Sequence, residues 1–487
     1  MMNKFNLIEE SWIPVANEGL VSLNDIFTKD FVALGGTPTQ KIAVTKLLLA
    51  IAQAAYTPLD EKNWEELGDA GLKEKALKYL EDKRNNFWLF GENPFLQLPE
   101  IKSAKVQPFG ALTSGVATGN TTILTQSQIE RKLCDAEIAL LIVELQNFAF
   151  GGKKTDNAVI LSNGYQGKYN EKKKPKTGKP ATAIGFLGFL HSFVLGRTIS
   201  ETLYLNLLTT SQIEMTPHFK GGLGNPPWEK MPQGEDCQIA KELQTTYLGR
   251  LVPLCRFILA TEGGMHYSEG ILYPGYAEGS FDLTSAVDYS KDKPRALWVN
   301  IEKKPWTQLT SLLGFLGSEK SDFDCYQLRY ALPRLRKIKG KVGIWTGGIK
   351  VSNNAGEQFL SGTDDYIESE FNLESSWLGE AWIFHLKNEM LILEKISKNI
   401  YVSALNFYKQ QSLDGKGKAE LTSNLFWQLS EPYFQNLVES CGKESPKEMR
   451  SAFVMLAHRS YDYFCSKDTI RQIDAWAANR PKLEKYL

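Results

Sequence analysis

Apolar positions recur every three or four residues through the last quarter of the chain. Trp382, Leu386, Met390, Leu393, Ile396, Ile400, Ala404 and Phe407 form one long stripe, the pattern of an amphipathic helix with a single buried face. A second stripe follows at Leu421, Leu425, Leu429, Tyr433 and Leu437, with Pro432 expected to kink or restart the helix. Met449, Phe453, Leu456 and Phe464 give a third, and Ile470, Ile473 and Trp476 a shorter fourth. Gly415, Gly417, Gly442 and Pro446 mark the turns. Four helices with short connections imply an antiparallel bundle over residues 366–487.

The first three quarters read differently. Phe5, Leu7, Ile13 and Val15 suggest a strand over 5–15, with Pro14 placing it at an edge. From Pro38 the spacing becomes helical to Ala55, opened by Thr37-Pro38. A further helix is expected over 135–148, stopped at Gly151-Gly152. Residues 180–350 alternate turns with short β-like runs at 296–301 and 342–345. The expected class is α+β: a large mixed α/β domain over residues 1–365, then the four-helix bundle.

Composition narrows the function. The chain of 487 residues balances 56 Lys+Arg against 56 Asp+Glu, so any contact with a phosphate backbone must come from local patches rather than from a basic coat. The clearest patch is 153–180, where Lys153, Lys154, Lys168, Lys172, Lys173, Lys174, Lys176 and Lys179 sit among Gly, Asn, Thr and Pro. It reads either as a solvated surface loop or as a phosphate-contacting one. The six cysteines are scattered, with no C-x-x-C pair, as in a reducing compartment. The longest apolar runs, at 47–55, 138–143 and 184–195, fall short of a membrane span, and the N-terminus has acidic residues where a signal peptide needs an apolar run. A cytoplasmic protein without membrane contact is expected.

Catalytic signatures are missing. The five histidines lie far apart, and neither a phosphate-loop motif nor a nucleophile elbow occurs. Asp322, Asp324, Asp364 and Asp365 form short acidic pairs, which are common on turns. No catalytic residue, metal or cofactor is expected. The cluster Phe87, Trp88, Phe90, Pro94, Phe95 and Gln97 reads as a turn pinned onto the core, with base stacking as the alternative.

Three segments point to a family. FNLIEESWIPV at 5–15, TPTQKIAVTKLLLAIAQ at 37–53 and FWLFGENPFLQ at 87–97 resemble the N-terminal signature of CasA, the large subunit of the type I-E CRISPR Cascade surveillance complex. The likeness continues through GVATGNTTILTQ at 115–126, FGG at 150–152, PWTQ at 305–308 and GG at 347–348, and so spans nearly the whole chain. The resemblance implies a non-catalytic subunit that recognises the protospacer-adjacent motif in double-stranded DNA from the minor groove. It would then start duplex unwinding and help recruit a helicase–nuclease, while guide RNA pairing reads the remaining sequence. Its implied partners are the backbone, small and 5′-handle-binding Cascade subunits, the CRISPR RNA and the target duplex.

The resemblance also assigns residues. Gly151 and Gly152 occupy the glycine-loop position, where absence of a Cβ lets backbone N–H groups approach minor-groove acceptors; Lys153 and Lys154 would hold flanking phosphates. A wedge hairpin would insert an amide beneath the first base pair. Asn353 and Asn354 fit its tip best, Gln358 is a further candidate, and Lys350 would lie near a phosphate. Asn-Asn-Ala-Gly is equally a good hairpin turn. Thr122, Ile123, Leu124 and Thr125 match the loop that docks onto the complex at the 5′ end of the guide RNA, with Arg131 and Lys132 downstream. Lys172, Lys173 and Lys174 are added from charge alone, as the DNA-contacting candidates of the basic loop. The family's minor-groove lysine has no counterpart before Tyr273, where His266 is the nearest basic group. The competing readings are a stand-alone metal-dependent hydrolase using Asp322 and Asp324, and a structural RNA or protein scaffold that reads no DNA.

Overall fold

The computed structural model describes residues 3–114, 130–149, 159–167, 169–174, 184–273, 282–289, 294–301, 306, 323–354, 357–362, 364–443 and 445–487. The chain divides into two compact units. Met1–Val299, Cys325–Ala331 and Gly347–Glu368 make the first; Asn300–Asp324, Leu332–Thr346 and Ser369–Leu487 make the second.

The first unit is built around helix α1 (Pro38–Ala55), and the sequence shows why it starts there. The Thr37 side chain caps the Gln40 amide, the Gln40 side chain accepts the Thr37 amide at 3.0 Å, and Pro38 fills the first helical position, where no N–H is needed. Thirteen of its residues are buried because α2 (Glu61–Asp82), α3 (Asp135–Asn147) and α4 (Ile199–Asn206) all pack on it. Lys46 of α1 is fully buried and stands 3.5 Å from the carboxylate of Asp282. Burial opposes ionisation of Asp282, but Lys46 and His191, with hydrogen bonds from Thr284, outweigh it and hold the carboxyl below its ordinary range. Burial pushes His191 down to about 4, so its ring is neutral at neutral pH, with Nδ1 2.7 Å from Thr284 Oγ1.

Small sheets surround these helices. The stretch 5–15 is not one strand: β1 (Lys4–Asn6) pairs antiparallel with β4 (Trp88–Phe90), and β2 (Ile13–Val15) with β3 (Gly19–Val21). Asn6 is the reason. Its side-chain oxygen accepts the Ile8 amide and its carbonyl accepts those of Glu9 and Glu10, turning the chain before a longer strand can form. β5 (Val106–Pro108), β8 (Gly264–Glu269) and β7 (Arg256–Thr261) form a sheet in that order, and β6 (His191–Leu195) carries His191. Phe87 and Phe95 stack at 5.2 Å, with Trp228 packed against both, so these rings are core, while Trp88 and Phe90 of the same segment are half-buried.

The second unit carries the helical bundle, which begins at Glu380 and not at residue 366, because 366–374 pair as a strand: α5 (Glu380–Gln410), α6 (Lys416–Ser430), α7 (Phe434–Gly442), α8 (Arg450–Phe464) and α9 (Ile470–Ala478). The eight-residue stripe of α5 is its buried face, and α6, α7, α8 and α9 all pack on that helix. Pro432 restarts the helix through a short 3-10 turn, as expected. The face of α6 differs from the expected leucine stripe. Ala419, Thr422, Phe426 and Ser430 point inward, and Leu421 is 47% exposed. Thr422 and Ser430 donate their hydroxyls to the carbonyls of Lys418 and Phe426, so these small side chains are buried with their polar atoms satisfied. Ile470 of α9 is likewise exposed, and Ala475 is the buried residue there.

Two long strands, β9 (Lys341–Ile349) and β12 (Tyr366–Glu374), are neighbours in a sheet. Hydrogen bonds from Ser375 N to Gly340 O and from Lys350 N to Asp365 O fix their antiparallel pairing at both ends. The excursion between them, 350–365, contains a second hairpin.

Candidate nucleic-acid interface

The second hairpin lies where Asn-Asn-Ala-Gly suggested one. β10 (Ser352–Asn354) pairs with β11 (Glu357–Phe359) in the register Ser352↔Phe359, Asn353↔Gln358, Asn354↔Glu357. Asn354 and Glu357 are thus the last paired residues before a two-residue connection, 355–356. Of the amide candidates, Asn353 is exposed, whereas Gln358, directly opposite, is 7% exposed and belongs to the interior.

The hairpin is held at its foot by Asp364. This fully buried carboxylate accepts the Ser361 amide (2.8 Å) and the Ser352 hydroxyl (3.0 Å), and lies 3.4 Å from Lys350 Nζ. Burial opposes its ionisation, but the Ser361 and Ser352 hydrogen bonds and the Lys350 charge outweigh it, so the carboxyl sits below the usual carboxylate range. Lys350 therefore braces the hairpin with a side chain one-third exposed. Asp364, noted in the sequence only as half of an acidic pair, is a structural anchor.

Gly151, Gly152, Lys153 and Lys154 lie outside the described residues, but the stem they leave from is defined. α3 ends at Asn147, four residues before the glycines, because Phe148 turns extended (φ −132°, ψ 140°) and Ala149 joins a different partner. The Ala149 amide donates to Gly185 O (2.8 Å) and the Leu187 amide to Ala149 O (3.1 Å). The segment 150–184 therefore leaves and returns at one point. Its middle is pinned too: the buried Glu235 carboxylate accepts the amides of Leu161 and Ser162, each at 3.0 Å, and the Asp236 amide donates to Ser162 Oγ.

Beyond this pin, Lys172, Lys173 and Lys174 stand exposed on a turn organised by Asn170. Its side-chain oxygen accepts the Lys172 and Lys174 amides, both at 3.0 Å, and Lys173 adopts a left-handed φ of 55°. Three cations are thereby displayed on an ordered turn, a geometry suited to a phosphate backbone. Thr122, Ile123, Leu124 and Thr125 are outside the described residues. Downstream of them, Arg131 pairs with Glu137 at 3.3 Å and Lys132 is exposed.

His266 does not present itself as a groove reader. It sits in β8 between β5 and β7, half-buried, with Nδ1 2.7 Å from Ala104 O. Arg256, the nearest arginine on the same sheet, is fully buried and donates to Tyr267 Oη and Cys255 O. A basic turn absent from the sequence reading appears in the second unit: Arg336, Lys337, Lys339 and Lys341 are all exposed around Gly340, whose φ is +101°. The run RLRKIKGK is visible at 334–341, and its alternation with Leu335 and Ile338 masks it as an ordinary helix end. Among the described residues, no three His, Cys, Asp or Glu side chains are grouped to hold a metal ion, and no helix is long and apolar enough to cross a membrane.

Comparison with known proteins gives this geometry a family. The model of CRISPR-associated protein Cse1 matches residues 6–460. The chain is 30% identical over 166 residues to the CRISPR-associated protein CasA/Cse1 of Thermus thermophilus, a match covering 31% of this chain and 33% of that relative's length. The crystal structure of Thermus thermophilus CasA superposes with a TM-score of 0.72 at 18% identity, covering 99% of both chains. A chain of a solved CRISPR RNA-guided surveillance complex superposes at 0.70 and 15% identity, covering 98% of this chain and 99% of that one. The last two likenesses carry the fold, and the family model carries the relationship. The chain belongs to the CRISPR-associated protein Cse1 family.

Proposed function

We propose that this protein is the large, non-catalytic subunit of a type I-E RNA-guided surveillance complex, and that it reads the short motif flanking the target in duplex DNA. The observation that carries the reading is the hairpin at 352–359. It is braced by a buried carboxylate, it exposes Asn353, and it stands in a chain whose match to the Cse1 family covers 6–460.

Its parts divide the work by chemistry. Gly151 and Gly152 bring backbone donors to minor-groove acceptors, with Lys153 and Lys154 on adjacent phosphates. Asn353, with Asn354 beside it, enters the first base step, where unstacking costs about a few kcal/mol that new contacts must offset. Lys350 serves through its brace on Asp364, and its partly exposed ammonium adds positive charge for a phosphate of the duplex. Lys172, Lys173 and Lys174 hold the backbone of the entering duplex. Thr122, Ile123, Leu124 and Thr125 dock the subunit at the 5′ end of the CRISPR RNA, against the backbone and 5′-handle-binding subunits, and the helical bundle that begins at Glu380 meets the small subunits. Cleavage belongs to a helicase–nuclease recruited after the R-loop forms. The work is done in the cytoplasm.

The test replaces Gly151 and Gly152 together by leucine in the full chain, assembled with the guide-RNA complex. A motif reader assembles normally and loses its target duplex. A scaffold assembles and binds target as before, which would overturn the proposal.

A further inference from the structure

One buried carboxylate stands apart from every role given above. Glu144, on the inner face of α3, is 3% exposed and lies next to no cation among the described residues. Its partners are hydroxyls: Thr39 Oγ1, in the first turn of α1, and Ser114 Oγ both donate to its Oε1. Thr39 is in turn 3.1 Å from the Thr37 hydroxyl, the cap of α1, and 3.4 Å from that of Ser114. Tyr366, the first residue of β12, lies beside the group, with the hydroxyls of Ser114, Thr39 and Thr37 around its own. Two residues along β12, Glu368 forms an ion pair with Lys41, one turn further into α1.

The location of these groups gives the cluster its meaning. Ser114 directly precedes the segment 115–129, which holds Thr122, Ile123, Leu124 and Thr125. Glu144 lies one turn before the end of α3, from which the chain continues to Gly151 and Gly152. Tyr366 follows the excursion that carries the Asn353 hairpin. Segments far apart in sequence thus converge on one carboxylate. Burial pushes the Glu144 carboxyl up, with the Ser114 and Thr39 hydroxyls holding it back, and burial likewise pushes the Tyr366 hydroxyl up. An isolated buried carboxyl is costly and packing alone does not call for it, since leucine would fill the same volume.

We infer that Glu144 is a positioning residue that fixes the docking segment, through Ser114, and the foot of the DNA-reading hairpin, through Thr39 and the start of α1, where Tyr366 packs and Lys41 pairs with Glu368, to a common point on α1. The inference rests on the proposed motif-reading function and extends it: subunit docking and motif discrimination share one buried anchor.

The experiment uses the full chain added to a guide-RNA complex lacking it. Two quantities are read: the affinity of the chain for that complex, and the ratio of complex affinities for duplexes with the preferred and a disfavoured flanking triplet. The ratio does not depend on the folded fraction, so a merely structural loss leaves it unchanged. Glu144→Leu is expected to weaken docking and shrink the ratio, each by about tenfold, the scale of a hydrogen bond lost from a charged acceptor. Glu144→Gln, which keeps an acceptor oxygen, is expected to restore both to within about threefold, the effect of a neutral hydrogen bond. Glu144→Leu with wild-type docking and a wild-type ratio overturns the inference.

If Glu144→Leu does not fold, the two arms are read separately. Ser114→Ala is expected to weaken docking and keep the ratio, and Tyr366→Phe to shrink the ratio and keep docking; the absence of this split overturns the inference. If the unmodified complex shows no triplet preference, the motif-reading proposal fails, and the Ser114→Ala docking measurement alone then decides the anchor.

Discussion

Removing the Asp364 carboxylate tests whether the hairpin is a built device or an incidental turn. Asp364→Ala deletes the acceptor of the Ser361 amide (2.8 Å) and the Ser352 hydroxyl (3.0 Å), and leaves Lys350 without the carboxylate 3.4 Å away. Each hydrogen bond to a charged group contributes about 1.5–3 kcal/mol. The Lys350 pair, partly open to water, adds at most about 1 kcal/mol. Solvent entering the site repays part of this, leaving about 3 kcal/mol, which is a change of roughly a hundredfold or more in an opening equilibrium. The loss is local, because all three partners lie within 350–364. Amide exchange measured by mass spectrometry is therefore expected to accelerate by about a hundredfold across 350–366, with the bundle helices as the internal reference. Asp364→Asn, which keeps one acceptor, should show about half the effect in free-energy terms. Since the folded carboxyl titrates below its ordinary range, the brace is complete above the unfolded value of about 3.9 and is lost only as pH falls through the lowered one. Unchanged protection in 350–366, or an equal loss everywhere, refutes the reasoning.

Other expectations follow from the same geometry. His191, held near 4 by burial between Asp282 and Lys46, binds its proton more readily once unfolded; stability should therefore fall by about 3 kcal/mol as pH drops from 6.5 to 4. Urea midpoints across that range test this, and the part of the slope due to His191 should vanish in His191→Asn. Phe407, 1% exposed among Ala404, Ala419, Tyr461, Cys465 and Ala475, should cost about 3–5 kcal/mol when truncated to alanine, whereas Ile470→Ala, at an 80% exposed site, should stay within about 0.5 kcal/mol by chemical denaturation. Replacing Lys172, Lys173 and Lys174 together by alanine should flatten the salt dependence of duplex binding by about 0.9 in log–log slope for each phosphate that the turn neutralises, and the triple alanine variant of Arg336, Lys339 and Lys341 tests the second basic turn by the same titration.

Local signals were legible wherever they sufficed. Thr37-Pro38 with Gln40 is a complete capping box in sequence, so α1 begins where the residues say it does. The long stripe of α5 leaves one consistent inner face, and Asn-Asn-Ala-Gly gives the hairpin its turn. Legibility ended where the deciding partner was distant or the signal was a small residue. The inner face of α6 is set by Ala419, Thr422 and Ser430, which a search for leucines passes over because their burial depends on hydroxyls returning to their own helix. Asn6 breaks an apparent strand by capping three amides, a choice that alternation cannot show.

The candidate interface divides along the same line. The exposed Lys172, Lys173 and Lys174 and the hairpin residues are contiguous, so a sequence can nominate them. The roles of Asp364, Glu235 and Glu144 come from hydrogen bonds across 3 to 105 positions, and an isolated acidic residue in a helix or turn carries no mark of what it will accept. Arg336, Lys337, Lys339 and Lys341 were overlooked for the opposite reason: their charges are plain, but only the structure shows that all four face solvent.

The central claim is that this chain reads a flanking motif. It is tested most directly by titrating the guide-RNA complex, with and without the chain, against matched duplexes whose flanking triplet is randomised, and following the bound fraction by mobility shift. The account predicts tight binding only when the chain is present and only for a subset of triplets, with selectivity lost on replacing Gly151 and Gly152. Equal binding to all triplets, or binding indifferent to the chain, would contradict it.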